Sequence, residues 1–422
     1  MSMPTGLRRF GNTPRRQVAA PLKKPSPCGG FLLSMMRMKP AQLLYENGPD
    51  WRYATGTQIS DPALWYQSPK GVTHIVVSEL EIGLMRKTAK VDKIHAFGDV
   101  RAKLKGQPLT LDTMLRYLTA LEKNQPDAIE VPNHFPAGLF GKLKEGGQPL
   151  VVANRALFFE QRALKTADEI KKLKAAQKLN EQAFELAFGI LAEAKIRKAD
   201  AVLMWQGAVL TSEILQGEMN GYLARHGAEE FHHGPVVAGG MQGAMPHARG
   251  NGPLKAHEFI VIDCFPKHPN GYWGDLTRTV LKGKPRPWHH KVYNAVLDAQ
   301  KTGLKMLKPG LNGKDIHAAV VATLEQHGFT TGTDKKGNPY GMFHGTGHGV
   351  GLELHDPGPR TISSVDCILK PGMVTSVEPG LYYTEKSVSG GIGGCRIEDV
   401  VVITETGHKN LTTLSKADWI IK

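Results

Sequence analysis

His344-Gly345-Thr346-Gly347-His348-Gly349-Val350-Gly351-Leu352-Glu353-Leu354-His355-Asp356 sets three histidines among four glycines. Glycine lacks a Cβ, so the backbone can crowd a bound group and take angles that other residues avoid. Histidine offers a neutral ring nitrogen to a cation, or a proton to a reacting group. Four carboxylates in comparable settings surround the stretch: Asp263 and Asp275 before it, Glu378 and Glu398 after it.

Working outward, Phe259-Ile260-Val261-Ile262-Asp263 reads as an apolar strand closing on a carboxylate. Residues 273–280 read as a second strand, and His268-Pro269-Asn270-Gly271 is a turn signal between the two. Residue 269 lies midway between the aspartates, so a hairpin is expected to set Asp263 opposite Asp275. Two carboxylates that close repel unless a proton or cation lies between them. Glu378 closes the run Met373-Val374-Thr375-Ser376-Val377, which Pro379-Gly380 stops. In residues 396–403, strand alternation puts Arg396 and Glu398 on one face and Ile397 on the other. Four carboxylates carry about four negative charges, which two divalent cations offset. An oxygen-rich set with one histidine suits Mn²⁺, and Zn²⁺ or Co²⁺ can take the same place. Two cations ~3.5–4 Å apart can activate a shared water and clamp a tetrahedral oxyanion, so the expectation is a two-metal hydrolytic centre. Rival signatures are missing. His257-Glu258 has no histidine at 261, the glycines of 345–351 do not fit a dinucleotide fingerprint, and Ser376 and Ser389 lie in no nucleophile elbow.

The rest of the chain reads as a frame for this centre. Between residues 39 and 160, Thr73-His74-Ile75-Val76-Val77, Ala128-Ile129-Glu130-Val131 and Leu150-Val151-Val152 read as strands, and Leu111 to Leu121 as a helix, giving a small α/β domain. Thr166-Ala167-Asp168-Glu169 is a capping box opening a long helix. Leu223-Ala224-Arg225-His226-Gly227 and Leu324-Glu325-Gln326-His327-Gly328 each end a helix on glycine. Each ending follows another helical segment and precedes β-like segments. Residues 161–422 are therefore expected to form an α+β domain of two related halves facing each other across a cleft.

The formal charge of +14 is concentrated at one end: residues 1–45 hold eight Lys/Arg and no Asp or Glu, leaving +6 on the remainder. A basic tail on an enzyme is expected rather than a nucleic-acid interface. Residues 1–38 are Arg-rich and acid-free like a mitochondrial presequence, but five prolines break any amphipathic helix, so a disordered extension is expected. No apolar run is long enough to span a membrane. Four cysteines without a Cys-x-x-Cys pair suggest a reducing compartment, read as the cytoplasm.

The order Asp263, Asp275, His348, Glu378, Glu398 resembles the five metal ligands of the pita-bread-fold dinuclear metallopeptidases. So do the strings Asp275-Leu276-Thr277-Arg278-Thr279, His344-Gly345-Thr346-Gly347-His348-Gly349, Val377-Glu378-Pro379-Gly380 and Arg396-Ile397-Glu398-Asp399. The likeness covers about residues 160 to 415. The resemblance implies that Asp263 holds one metal and His348 the other, that Asp275 and Glu398 bridge them, and that Glu378 is both ligand and general acid/base. It further implies that His247, in Met245-Pro246-His247-Ala248, contacts the substrate and leaving nitrogen. His344 and His355 would hold substrate and stabilise the tetrahedral intermediate, and Arg396 would orient the carboxylates. An α/β (creatinase-N-like) domain ahead of the pita-bread domain is similar to the Xaa-Pro branch, prolidase and aminopeptidase P, in which Trp51-Arg52-Tyr53-Ala54-Thr55-Gly56 resembles an early strand. The branch implies cleavage of the bond before proline in small peptides, with a lean to the dipeptidase over the aminopeptidase, and a homodimer. A non-catalytic scaffold and a hydrolase or lyase of a small non-peptide substrate are the competing readings. Retention of all five ligands argues against the scaffold.

Overall fold

Alternating side chains explain the first half of the chain. Six strands pair in the order Lys93–Ala96, Thr73–Val77, Ala63–Gln67, Ala41–Glu46, Ile129–Val131, Leu150–Val152. The pairings of Ala63–Gln67 with both of its neighbours are antiparallel and the other three are parallel. Leu43, Leu64 and Val76 belong to one apolar cluster, while their sequence neighbours Leu44, Trp65 and Ile75 belong to another. The period of two thus sends adjacent residues to opposite faces, and both faces are covered. Leu111–Leu121 covers the first face with Leu111, Met114, Leu115 and Leu118, its start fixed by a reciprocal Thr110–Thr113 cap.

This computed structural model describes residues 39–123, 125–229, 234–356 and 361–422, with Pro40–Lys422 forming one compact unit. The tail expected at residues 1–38 lies outside the described residues. Trp51-Arg52-Tyr53-Ala54-Thr55-Gly56 is a helix rather than the expected strand. Pro49 opens helix Pro49–Thr55, and Gly56 closes it at φ 76°. A proline in the first turn and a left-handed glycine after the last residue are helix punctuation, and burial of Trp51 holds the element down.

The long helix Ala167–Glu193 begins at the expected box, in which Thr166 Oγ1 accepts from Glu169 N and the Glu169 carboxylate accepts from Thr166 N. It packs with Ser212–Arg225, after which Gly227 turns the chain at φ 81°. Val236–Gly239, Ile260–Cys264 and Leu276–Lys282 follow as antiparallel neighbours. A second helix pair, Pro287–Met306 and Gly313–Gln326, precedes the ladders Val374–Val377 with Asp399–Ile403 and Gly380–Tyr383 with Gly393–Arg396. Helix, helix and sheet therefore occur twice in the same order. The halves meet where Thr279 Oγ1 accepts from Arg396 N and donates to Arg396 O, both at 3.0 Å, while Glu398 N donates to Thr277 O. All seven residues of Leu276–Lys282 are buried at this seam.

The hairpin register differs from expectation. Asp263 pairs with Thr277, not Asp275. His268 pairs with Tyr272 through His268 N→Tyr272 O, and Gly271 lies at φ 89°. The loop thus holds three residues centred on Asn270, and the left-handed glycine absorbs the extra one. Asp275 sits two residues before Thr277, which leaves it diagonal to Asp263 on the same face.

Candidate metal centre

The His344–His355 stretch lies along strand Val374–Val377 as if zipped to it. Ser376 N donates to His348 O at 2.8 Å, His348 N donates to Ser376 Oγ at 3.0 Å, and Glu378 N donates to Thr346 O at 2.7 Å. A Cβ at Gly347 would stand 1.9 Å from Ser376 O, so only glycine lets the two backbones meet this closely. The result carries His348 to the end of the strand, where its Nε2 lies 3.3 Å from Glu378 Oε1 and 3.5 Å from Asp275 Oδ2. Donor atoms of Asp275, His348 and Glu398 all fall within 4.8 Å of one another.

Each group is held from behind. The Asp275 backbone is clasped by Gln177 of the long helix, whose amide donates to Asp275 O and whose carbonyl accepts from Asp275 N. Thr277 Oγ1 donates to Glu398 Oε2 at 2.7 Å and accepts from Arg396 Nε at 3.0 Å, so Arg396 and Glu398 share a side. Ile397 points the other way into the cluster of Val292, Tyr293 and Val296. Arg396 Nη2 reaches Asp263 Oδ2 at 2.5 Å, and Nη1 donates to the Tyr382 hydroxyl at 3.0 Å. Tyr382 in turn lies 3.0 Å from His344 Nε2, and His344 Nδ1 lies 2.7 Å from Gly345 O. The carbonyl requires Nδ1 to carry the proton, so Nε2 accepts from Tyr382. An ordered chain runs from Asp263 through Arg396 and Tyr382 to His344.

The electrostatics call for cations. Burial pushes the carboxyl groups of Asp275 and Glu398 well above their usual range. For Asp275 the charge of Glu398 adds to it, and for Glu398 that of Glu378. Glu378 is raised by burial as well, against the pull of His344 and Arg396. Burial lowers His348, and its Nδ1–H donates to Gly349 O at 3.1 Å, so Nε2 turns a lone pair toward the carboxylates. Oδ1 of Asp263 is buried without a hydrogen-bond partner among the described residues. Lone pairs facing carboxylates and an orphaned carboxylate oxygen fit divalent cations, which would displace the protons that burial retains.

The remaining expected residues lie around this core. The His355 ring stands 4.1 Å from the His348 ring, centroid to centroid, at an exposed position of the loop. His247 is exposed in the turn after the 3-10 helix Gly240–Ala244, and it is among the groups that hold the His355 pKa down. Thr277, Ser376, Gln177 and Tyr382 support the site although no sequence motif assigns them a role in it. Thr277 was within reach, because strand alternation from Asp275 puts it on the same face. Tyr382, its hydroxyl pushed up to about 12 by burial, stands in no motif of the sequence reading.

Residues 171–405 match metallopeptidase family M24, more than half of the chain. The Xaa-Pro dipeptidase of Pyrococcus furiosus is 30% identical over 252 residues, and Xaa-Pro aminopeptidase 2 of Streptomyces coelicolor is 32% identical over 268. Each match takes in 60% of this chain, and 63% and 54% of those relatives' lengths. The solved Xaa-Pro dipeptidase from Bacillus anthracis superposes with a TM-score of 0.74 over 91% of this chain and 95% of that one, at 24% identity. Matched in sequence across its second half and in fold across nearly all its length, the chain belongs to metallopeptidase family M24 and carries the pita-bread fold.

Proposed function

We propose that the protein is an Xaa-Pro-specific dinuclear metallopeptidase that hydrolyses the bond before proline, acting as an Xaa-Pro dipeptidase. The observation that carries this reading is the convergence of Asp275, His348 and Glu398, with Glu378 beside His348, in an M24 chain. Asp263, Asp275, His348, Glu378 and Glu398 would hold two divalent ions, Mn²⁺ first and Zn²⁺ or Co²⁺ as alternatives. When bound, these ions supply Lewis acidity and a water of lowered pKa. Glu378 takes the proton of the attacking water and delivers it to the proline nitrogen, which has no N–H of its own and leaves as the free amine. His344 and His355 hold the substrate and steady the tetrahedral state. His247 meets the leaving nitrogen. Arg396 orients Asp263 and, through Thr277, Glu398. A division near residue 160 into an α/β domain and the catalytic domain, a homodimer and a cytoplasmic setting complete the proposal. Buried, unpaired Cys264, Cys367 and Cys395 suit a reducing compartment, and among the described residues no helix is long and apolar enough to cross a membrane.

The second reading is an Xaa-Pro aminopeptidase, favoured by the likeness to the Streptomyces coelicolor protein. Protein purified with Mn²⁺ would be given an Xaa-Pro dipeptide and an Xaa-Pro-Xaa tripeptide, with Asp275→Asn as control. Dipeptide cleavage alone supports the dipeptidase, and tripeptide cleavage supports the aminopeptidase. Cleavage of neither by metal-loaded protein removes both.

A further inference from the structure

Arg162 lies far in sequence from every carboxylate and histidine assigned to the centre, yet its side chain is only 3% exposed and meets three carboxylates. It donates to Asp50 Oδ1 at 2.6 Å, Glu353 Oε2 at 2.6 Å and Asp356 Oδ1 at 2.7 Å. Lys165 Nζ takes the other Asp356 oxygen at 2.6 Å and the Arg162 carbonyl at 2.7 Å. Arg162 belongs to the short 3-10 helix Glu160–Ala163, which joins the first sheet to the long helix. Asp50 comes from helix Pro49–Thr55. Asp356 directly follows His355.

Burying an arginine and a lysine among carboxylates removes strong hydration, and such clusters contribute little net stability compared with apolar packing. What they do well is specify one arrangement, because breaking one partner strands the others. The loop they grip needs that specification. Among the described residues, the His355 ring has no hydrogen-bond partner, and only its tilted contact with His348 touches it as a ring. His355 is exposed, so the fold of the backbone that carries it governs where the ring stands. That backbone is folded on itself by Asp356 N→Gly349 O and Gly351 N→Glu353 O, and a Cβ at Gly351 would stand 2.6 Å from the Asp356 carboxylate. The Asp356 carboxylate, pressed on Gly351 and gripped by both cations, is the pin of the loop.

We propose that Arg162 is a positioning residue for the reaction: through Asp356 it holds His355 beside His348, and through Asp50 it ties that loop to helix Pro49–Thr55. The proposal rests on the reading in which His355 meets the substrate. Its distinctive consequence is that Arg162 acts through His355 and not on the metal ligands.

The test is a double-mutant cycle on the full chain loaded with Mn²⁺, following kcat and KM for an Xaa-Pro peptide, with metal content measured in parallel. Arg162→Gln is expected to lower kcat about 10- to 100-fold, a loss on the order of that for removing an outer partner that orients a site residue, with metal content unchanged. In a His355→Ala background, Arg162→Gln is expected to add less than about threefold, because the group it positions is gone. A general structural role would instead multiply the two losses, and multiplicative losses or an undiminished kcat in folded Arg162→Gln would overturn the proposal. Full activity of His355→Ala refutes the role of His355 itself and the proposal with it, an outcome distinct from a slow His355→Ala with independent Arg162 effects. Asp356→Asn, which keeps the shape but loses the charge and one of the two accepted hydrogen bonds, runs the same cycle if Arg162→Gln does not fold. Arg162→Lys, which keeps charge but not the fork that reaches three partners, is expected to recover only part of kcat.

Discussion

Acidification acts on the fold through His289, away from the metal centre. Its ring is 1% exposed, and Nδ1 accepts the backbone N–H of Arg286 at 2.9 Å, capping helix Pro287–Met306. A proton on Nδ1 would break that bond and place a positive charge at a helix N-terminus. Burial first, then the charge of Arg286, lower the pKa to about 4. The unfolded chain takes up this proton near pH 6.5, whereas the folded chain refuses it until about 4, so stability present above 6.5 is lost as pH falls through that window. Linkage at 1.36 kcal/mol per pH unit gives a loss of about 2 kcal/mol between pH 7 and pH 5. His289→Asn offers its side-chain oxygen to the same N–H and does not titrate. Urea unfolding of both proteins at pH 7, 6 and 5 should show wild type losing about 2 kcal/mol more than the variant over the range. Equal losses would mean that His289 does not carry its proton deficit into the folded state, and the reasoning from the cap would fail.

Three further outcomes are expected. Mn²⁺ should raise the thermal unfolding midpoint of the wild type and not of Asp275→Asn, which should also be inactive; an equal shift in both, read by calorimetry, would move the metal away from Asp275. Tyr382→Phe leaves Arg396 Nη1 without its acceptor and His344 Nε2 without its donor, so stability should fall by about 1.5–3 kcal/mol in denaturant titrations, with a parallel drop in kcat. Gly347→Ala forces a Cβ to within 1.9 Å of Ser376 O, so the loop must lift from its strand; metal content measured on purified protein should fall, and full occupancy would show that the close approach is dispensable.

Local rules reached a long way into this protein. The cap at Thr166, the glycine endings at Gly227 and Gly328, the helix Leu111–Leu121 and the strand before Asp263 follow from periodicity and punctuation within a few residues. Carboxylates closing apolar strands, with a histidine held among glycines, mark one charged locus in the sequence alone. Tertiary structure decided what local pattern cannot encode. The loop centred on Asn270 shifted the aspartates from opposite to diagonal, because one left-handed glycine changes a register that composition leaves open. Trp51 went into a helix where the family resemblance implied a strand, because Pro49 and Gly56 start and stop a helical segment around it. The link of Thr277 to Glu398 spans 121 positions, and that of Arg162 to Asp356 spans 194. Such pairs arise only when separate elements pack, because the residue types alone do not say which of many carboxylates a buried cation will meet.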